Sequence, residues 1–440
     1  MRRLSVFRKS QADKSSSEPA DPTQTNLSHF LELQKVNYLK AVAQGQAKQW
    51  TVVMGNEAGD LDSLASSIAY AWYATNAKRT LTIPLIRTPR DDFALRAENQ
   101  HALALAGIDP ARDLLCMDDA PSSPSDKFAL VDHNALAPRY AAACPDARVV
   151  AVIDHHEDEG LYTDTADPRI ITVPTGSCAS LVARLLADAY PDSSGTPPEL
   201  ATLLLAAILI DTGGLKPGGK ATAADRDAAA FLAPLSSVWT PPSPTRSAFR
   251  GTAGAPPPLQ DAPALQRLTA ELQAKKFSLA HLGTRDLLRR DYKEYAWASA
   301  RVGLASVPVG FKAWLAQDAE LWAGAEAWMA ERGLDVLGVL TSFRDERALG
   351  KSGKGKQKRQ QLWVVRADAD AQLAPRLWKG LEDSKELKLK KKDLKQYVGP
   401  AGAEAAASKR ARAYKQGNVD ATRKATAPIA RAIVEGKAQD

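Results

Sequence analysis

Between Trp50 and Asp154 the chain repeats a pattern that leaves few folds open. Short, apolar, β-branched runs end abruptly in polar residues, and longer stretches separate them. WTVVMG (Trp50–Gly55), TLTIPLI (80–86), FALVDH (128–133) and VVAVID (149–154) read as strands. Helical patterns occupy Leu61–Ala74, a stretch near Asp92–Ala106, and Ser177–Ala189. Strands that are apolar throughout belong in a sheet covered on both faces, and alternation with helices makes that sheet mostly parallel. Leu200–Ile210 is apolar on every side and predicts a fully buried helix. In open sheets of this kind ligands bind beyond the carboxyl ends of the strands. The residues that follow each strand are therefore the ones to inspect.

Those residues are acids and imidazoles. GNEAGDLDSLAS sets Asp60 and Asp62 where the first strand meets its helix, and LVDHN sets Asp132 and His133 at another strand end. VIDHHEDEG adds Asp154, His155 and His156, and AAILIDTGGL closes the buried helix with Asp211. A D-x-D pair or a strand-end Asp taken alone reads as a cap or a solvated turn. Asp211 resists that reading, because a carboxylate beside a buried helix needs a partner. Gathered at one sheet edge, these groups would repel one another unless cations sat among them. Carboxylate oxygens with few imidazoles and no thiolates favour Mn²⁺ or Mg²⁺ over a structural Zn²⁺. The set is large enough for two ions sharing a carboxylate, about 3.5–4 Å apart, as used for in-line attack on phosphorus.

The remainder of the chain bears on the partner. Ser236–Pro263 is rich in Pro, Gly, Ser and Thr and predicts an exposed loop, followed by the amphipathic helix PALQRLTAELQAKKF. WASARVGLASVPV, LDVLGVLTSF and QLWVVRA supply strands of a second unit. LGKSGKGKQKRQQ (349–361) reads as a mobile Gly/Lys loop, and GKSGKGK within it is no phosphate loop, lacking G-x-x-x-x-G-K-[ST] between strand and helix. KELKLKKKDLK (385–395) reads as a solvated helix face, with guidance of a polyanion as the alternative. The net charge of +7 is concentrated here: Arg344–Gln361 holds seven Lys/Arg against two acids, and Ser408–Lys437 eight against two. A basic C-terminal third suggests a polyanionic ligand, either nucleic acid or a polyphosphate. No apolar run approaches the roughly 20 residues of a membrane span. Cys116, Cys144 and Cys178 form no CxxC pair and predict buried, reduced thiols. The opening MRRLSVFRKSQADKSSSE lacks the apolar core of a secretory leader. Its Arg and Ser content is of mitochondrial-presequence type, but Asp13 and Glu18 argue against that; a disordered tail is expected.

Taken together, GNEAGDLDSLASSIAYA, ALVDHN, VIDHHEDEG and LLLAAILIDTGGL, with PTGSCASLV between the last two, resemble the DHH phosphoesterase superfamily. The resemblance is to its branch of fungal cytosolic exopolyphosphatases, prune-type proteins and manganese-dependent (family II) inorganic pyrophosphatases. TRDLLRRDYKEY, VGLASVPV and YKQGNVDATRKATAPI are similar to parts of the DHH-associated C-terminal domain. The resemblance implies an N-terminal, mostly parallel α/β domain over 30–277 after a tail over 1–29. It implies a hinge at 278–284 and a smaller α/β domain over 285–440, with the active site in the cleft between the domains. It further implies Asp60, Asp62, Asp132, His155 and Asp211 as ligands of two divalent ions, Mn²⁺ or Mg²⁺, with Asp132 bridging. His156 would face phosphate, Asp154 and His133 would support the ligands, and Lys293, Arg423 and Lys424 would hold phosphates from the second domain.

Asn56 stands where the pyrophosphatase branch has His, whereas exopolyphosphatase and prune-type sequences share the Asn; it joins the expected substrate contacts. The resemblance therefore implies hydrolysis of the terminal phosphoanhydride of inorganic polyphosphate, releasing orthophosphate. The alternatives are a prune-like hydrolase of short-chain polyphosphates, nucleoside tetraphosphates or cyclic nucleotides, a manganese-dependent pyrophosphatase, or an inactive DHH scaffold. A cytoplasmic monomer is expected, with the mitochondrial matrix as the alternative location and neither membrane nor nucleic acid as partner.

Overall fold

A computed structural model describes residues 26–239, 258–298, 300–349, 355–407 and 410–437. The chain divides into two compact units, 1–276 and 277–440. Of the expected tail, residues 1–25 lie outside the described residues, and 26–29 instead open helix α1 (Asn26–Ala43).

The first unit is built on six parallel strands: β1 (Thr51–Met54), β2 (Thr82–Ile86), β3 (Leu115–Cys116), β4 (Lys127–Val131), β5 (Arg148–Asp154) and β6 (Arg169–Ile171). Their order is β3-β2-β1-β4-β5-β6. Successive side chains alternate between two cores. Val53, Ala129, Val131 and Ile153 join the core beneath the helices Leu61–Asn76 (α2), Cys178–Ala189 (α3) and Pro198–Thr212 (α4). Val52, Met54, Leu130 and Val152 join the core on the opposite face with Tyr38 and Trp50. Both faces are covered, which is why the strands are apolar throughout. Leu200–Ile210 is buried along its whole length within α4, as its composition predicts, and Gly213 ends the helix at φ +63°. The chain leaves β1 towards β2 on one side and returns to β4 on the other, so the strand order reverses between β1 and β4. That reversal opens a crevice at the carboxyl ends of these two strands.

The second unit holds a mixed sheet of β7 (Tyr292–Trp297), β8 (Ala300–Val307), β9 (Val336–Leu349), β10 (Gly355–Val365), β11 (Leu389–Lys392) and β12 (Arg410–Gln416), in the order β11-β12-β10-β9-β8-β7. Only β8 and β9 run parallel. Two expectations are corrected here. The stretch 349–361 is mostly strand: β10 begins at Gly355 and pairs with β9 from Lys356↔Asp345 to Val365↔Val336, while 350–354 lie outside the described residues. A ladder is held by backbone hydrogen bonds, so polar side chains on one face do not prevent it. The lysine run 385–395 is no helix face, since Leu389–Lys392 forms an edge strand beside β12. Lysines on an edge discourage pairing with other chains, a use of charge that resembles a helix face in one dimension.

Candidate metal and phosphate site

The crevice between β1 and β4 is formed by turns that bring polar groups close to backbone. Gly55 ends β1 against the start of α2, where a Cβ would lie 2.5 Å from that of Ser63. Asp60 caps α2, its Oδ1 accepting the Ser63 N–H at 3.1 Å. Asp132 follows β4 in the left-handed region at φ +62°, a conformation that costs a non-glycine residue roughly 1 kcal/mol or more and is concentrated at functional sites. Its Oδ2 accepts from Ser63 Oγ at 2.6 Å and from Asn56 Nδ2 at 2.7 Å, which leaves Oδ1 facing the histidines.

His155 follows β5. Its Nδ1 lies 3.0 Å from the Thr175 carbonyl, which can only accept, so Nδ1 carries the proton. Nε2 then presents its lone pair to Asp132 Oδ1 at 3.1 Å and to Asp62 Oδ2 at 3.7 Å. Lone pairs facing one another across these distances are repulsive. Either a second proton or a metal cation must lie among them. Without a cation the proton is held firmly: burial opposes it, yet the hydrogen bond to Asp132 and the charge of Asp62 push His155 up to about 9. The acids respond in the same sense. Burial, then the charge of Asp132, raises Asp60; burial, then Asp132 and Asp211, raises Asp62 well above the carboxylate range. Asp211 is pushed up to about 6, chiefly by burial and then by Asp60, with Lys276 pulling the other way. The donor set thus fits divalent cations on its own chemistry.

The ligand atoms of Asp132, His155 and His156 all lie within 4.8 Å of one another. Asp62 borders that trio, 3.7 Å from His155 Nε2, and the charge of Asp132 raises Asp60, Asp62 and Asp211 alike. Asp62 has less to offer than the sequence suggests. Its Oδ1 accepts from Ala179 N at 2.8 Å and Ser177 Oγ at 2.9 Å, and its Oδ2 from Cys178 N at 2.7 Å, so it caps α3 and keeps only part of Oδ2 for a metal. His156 is half-exposed and its Nδ1 bonds Asp154 Oδ1 at 2.8 Å, leaving Nε2 for a ligand. The fully buried Asp154 therefore orients His156, while Thr175 orients His155. His133 turns away: its Nδ1 meets the Val131 carbonyl at 2.9 Å, and burial lowers its pKa. Asn56, expected at the substrate, spends its Nδ2 on Asp132 and its Oδ1 on the Ala58 N–H at 2.8 Å. All three cysteines are free and buried, and Cys178 donates to the Ile153 carbonyl with its thiol pushed up by burial, so it offers no thiolate.

Two supports escape sequence reasoning. Asn134 donates to both Asp154 Oδ2 and the Glu157 carbonyl, and lies within LVDHN itself. Asp225 accepts from Gly176 N, Ser177 N, Ser180 Oγ, and the N–H and hydroxyl of Thr222, which fixes the loop that carries Ser177 to Asp62. Nothing in its local sequence, TAADRD, points there.

In the second unit, Arg423 and Lys424 begin the helix Arg423–Val434, where the helix dipole already contributes positive potential. Arg423 reaches Asp291 Oδ1 at 2.7 Å, next to the start of β7, from which Lys293 projects into solvent. Cations in a first helical turn oppose the usual preference and suit an anionic ligand.

A family model for the DHH family, N-terminal domain, matches residues 50–208, and one for the DHHA2 domain matches 270–433. A Schizosaccharomyces pombe protein named as a candidate exopolyphosphatase is 34% identical over 330 residues, covering 70% of this chain and 77% of that protein. The Mus musculus protein named exopolyphosphatase PRUNE1 is 28% identical over 302 residues, 66% of this chain and 59% of that one. A candidate manganese-dependent inorganic pyrophosphatase of Streptococcus equi subsp. equi is 29% identical over 189 residues, 42% of this chain and 56% of that one.

Proposed function

The chain belongs to the DHH family, with a DHHA2 domain after the DHH domain, and on that premise we propose that it is an exopolyphosphatase. It removes the terminal phosphate of inorganic polyphosphate as orthophosphate. The observation that carries this reading is His155 Nε2, held 3.1 Å from Asp132 Oδ1 and 3.7 Å from Asp62 Oδ2 by the Thr175 carbonyl behind the ring. Asp60, Asp62, Asp132, His155 and Asp211 would hold two divalent ions, Mn²⁺ or Mg²⁺. Such ions supply a water of lowered pKa and neutralise phosphate charge when bound.

The residues of the chain do the rest. Asn56 and Ser63 pin one oxygen of Asp132 and so aim the other. Asp154 fixes the His156 ring and so turns its Nε2 towards the side from which a ligand would enter. Lys293, Arg423 and Lys424 contribute cationic contacts to substrate phosphates, with Arg423 suited to bidentate binding. The retained Asn56, with its amide oxygen engaged by Ala58, supports a site less rich in metal ligands than a dedicated pyrophosphatase requires. A prune-like preference for short chains is the competing reading. Initial rates of orthophosphate release from long-chain polyphosphate, tripolyphosphate and pyrophosphate, each with Mn²⁺ or Mg²⁺, separate the two. Highest kcat/KM on the long chain supports the proposal, and a clear preference for tripolyphosphate or pyrophosphate rejects it.

A further inference from the structure

The second unit contains a basic cavity of about 930 Å³ that the metal site does not use. Its lining includes Lys312, Lys356, Lys358, Arg359, Lys392 and Lys415 and, among the described residues, no acid. Lys415 of β12 lies directly opposite Gln360 of β10, so Lys356 and Lys358 share its face of the sheet. Lys390 of β11 also lies directly opposite Lys415, and Lys392 follows on the same face. Like charges directly across a ladder destabilise it. Four lysines, at 312, 356, 392 and 415, have no ion-pair partner among the described residues, whereas Lys358 pairs with Asp345. A second cavity of similar size, about 1020 Å³, sets Asp383 and Glu386 among its lysines and arginines. Of the two, the first is the one whose described lining carries cations without acids.

We propose that this cavity binds an internal segment of a linear inorganic polyphosphate, retaining a long chain by charge alone. The naming of polyphosphate rests on the hydrolase reading above; the cavity's demand for densely spaced negative charge does not. The volume lies within the range of ligand pockets, and several unpaired lysines call for several phosphates rather than one. Single-stranded nucleic acid is disfavoured because its binding relies on exposed aromatic platforms. Among the described residues of the lining the only aromatic, Tyr397, is 3% exposed. This assignment also accounts for the lysine run whose strand geometry the sequence conceals: Lys392 enters the cavity from the sheet edge.

The test measures equilibrium binding of long-chain polyphosphate to the full chain in excess chelator, so that no turnover occurs. The triple variant Lys312→Gln/Lys356→Gln/Lys415→Gln should bind at least tenfold more weakly. Its salt dependence should be shallower by roughly two units of log–log slope, since fewer counterions are released. The matching triple Arg variant should bind like the parent. Unchanged affinity and slope in the Gln variant, an Arg variant no better than the Gln one, or displacement of polyphosphate by single-stranded DNA at equal charge would each overturn the proposal. Orthophosphate release by the unmodified protein with Mn²⁺ is scored separately. Its absence would remove the hydrolase reading while leaving charge-dependent binding intact, so the two failures are distinguishable.

Discussion

His155 concentrates the chemistry of the first unit in one ring. Thr175 keeps the proton on Nδ1, and two carboxylates wait at Nε2. In metal-free protein that second nitrogen is protonated at neutral pH, because His155 is raised to about 9. Metal ligation requires the lone pair, so binding must expel the proton. Calorimetric titration of Mn²⁺ at pH 7 in buffers of different ionisation enthalpy should report proton release, from His155 and from the raised carboxyl groups beside it, and His155→Gln should lower that release by about one proton. Zero release by the parent would remove His155 from the ligand set. The sign for stability follows from the same shift. A histidine raised on folding contributes stabilisation present below its unfolded pKa of about 6.5, which is lost as pH rises through about 9. The metal-free melting temperature should therefore decline across that interval, and saturating Mn²⁺ should flatten the decline. Asp225 offers a different test. Asp225→Asn replaces one accepting oxygen by an amide donor that faces the donors of the 176–180 loop or Thr222, so a loss of about 3 kcal/mol and weaker Mn²⁺ binding are expected. An unchanged melt would show that the loop needs no buried carboxylate. Asp132, His155 and Asp211 stand out as candidate ligands in the sequence because each follows or ends an apolar run; Asp225, Asn134 and Thr175 do not, because a hydrogen-bond partner leaves no periodic trace.

At the scale of elements, burial explains what could be read and what could not. The strands β1, β2, β4 and β5 and helix α4 announce themselves because both their faces enter a core, so that composition and position coincide. Leu205 is fully buried midway along α4, and Leu205→Ala should cost about 2–5 kcal/mol, measured by denaturant unfolding of the first unit's transition. A loss under about 1 kcal/mol would mean that α4 is loosely packed. The second unit is less legible for the same reason. The Lys- and Gln-rich half of β10 and the edge strand β11 are held by ladder hydrogen bonds rather than by apolar side chains, and their sequence mimics a loop and a helix face. The turn between β7 and β8 is equally hidden: WASARV reads as one strand, yet it reverses at Ala298, whose φ is +50°.

For the molecule as a whole, the acids and the cations are segregated, with the acidic site in the first unit and the uncompensated lysines in the second. On the proposed reading, a polyanionic substrate reaches the acidic site only when divalent metal neutralises the carboxylates there. Activity on long-chain polyphosphate should accordingly fall steeply with added salt and vanish with chelator, both read from initial rates. Activity that survives chelation would contradict the metal requirement. The most direct test of the account is orthophosphate release from long-chain polyphosphate, with Mn²⁺, by the parent protein and by Asp132→Ala. The account predicts release by the parent and a loss of about a thousandfold, roughly 4 kcal/mol of barrier, in a variant that still folds. Release by Asp132→Ala at a rate near the parent's would contradict it.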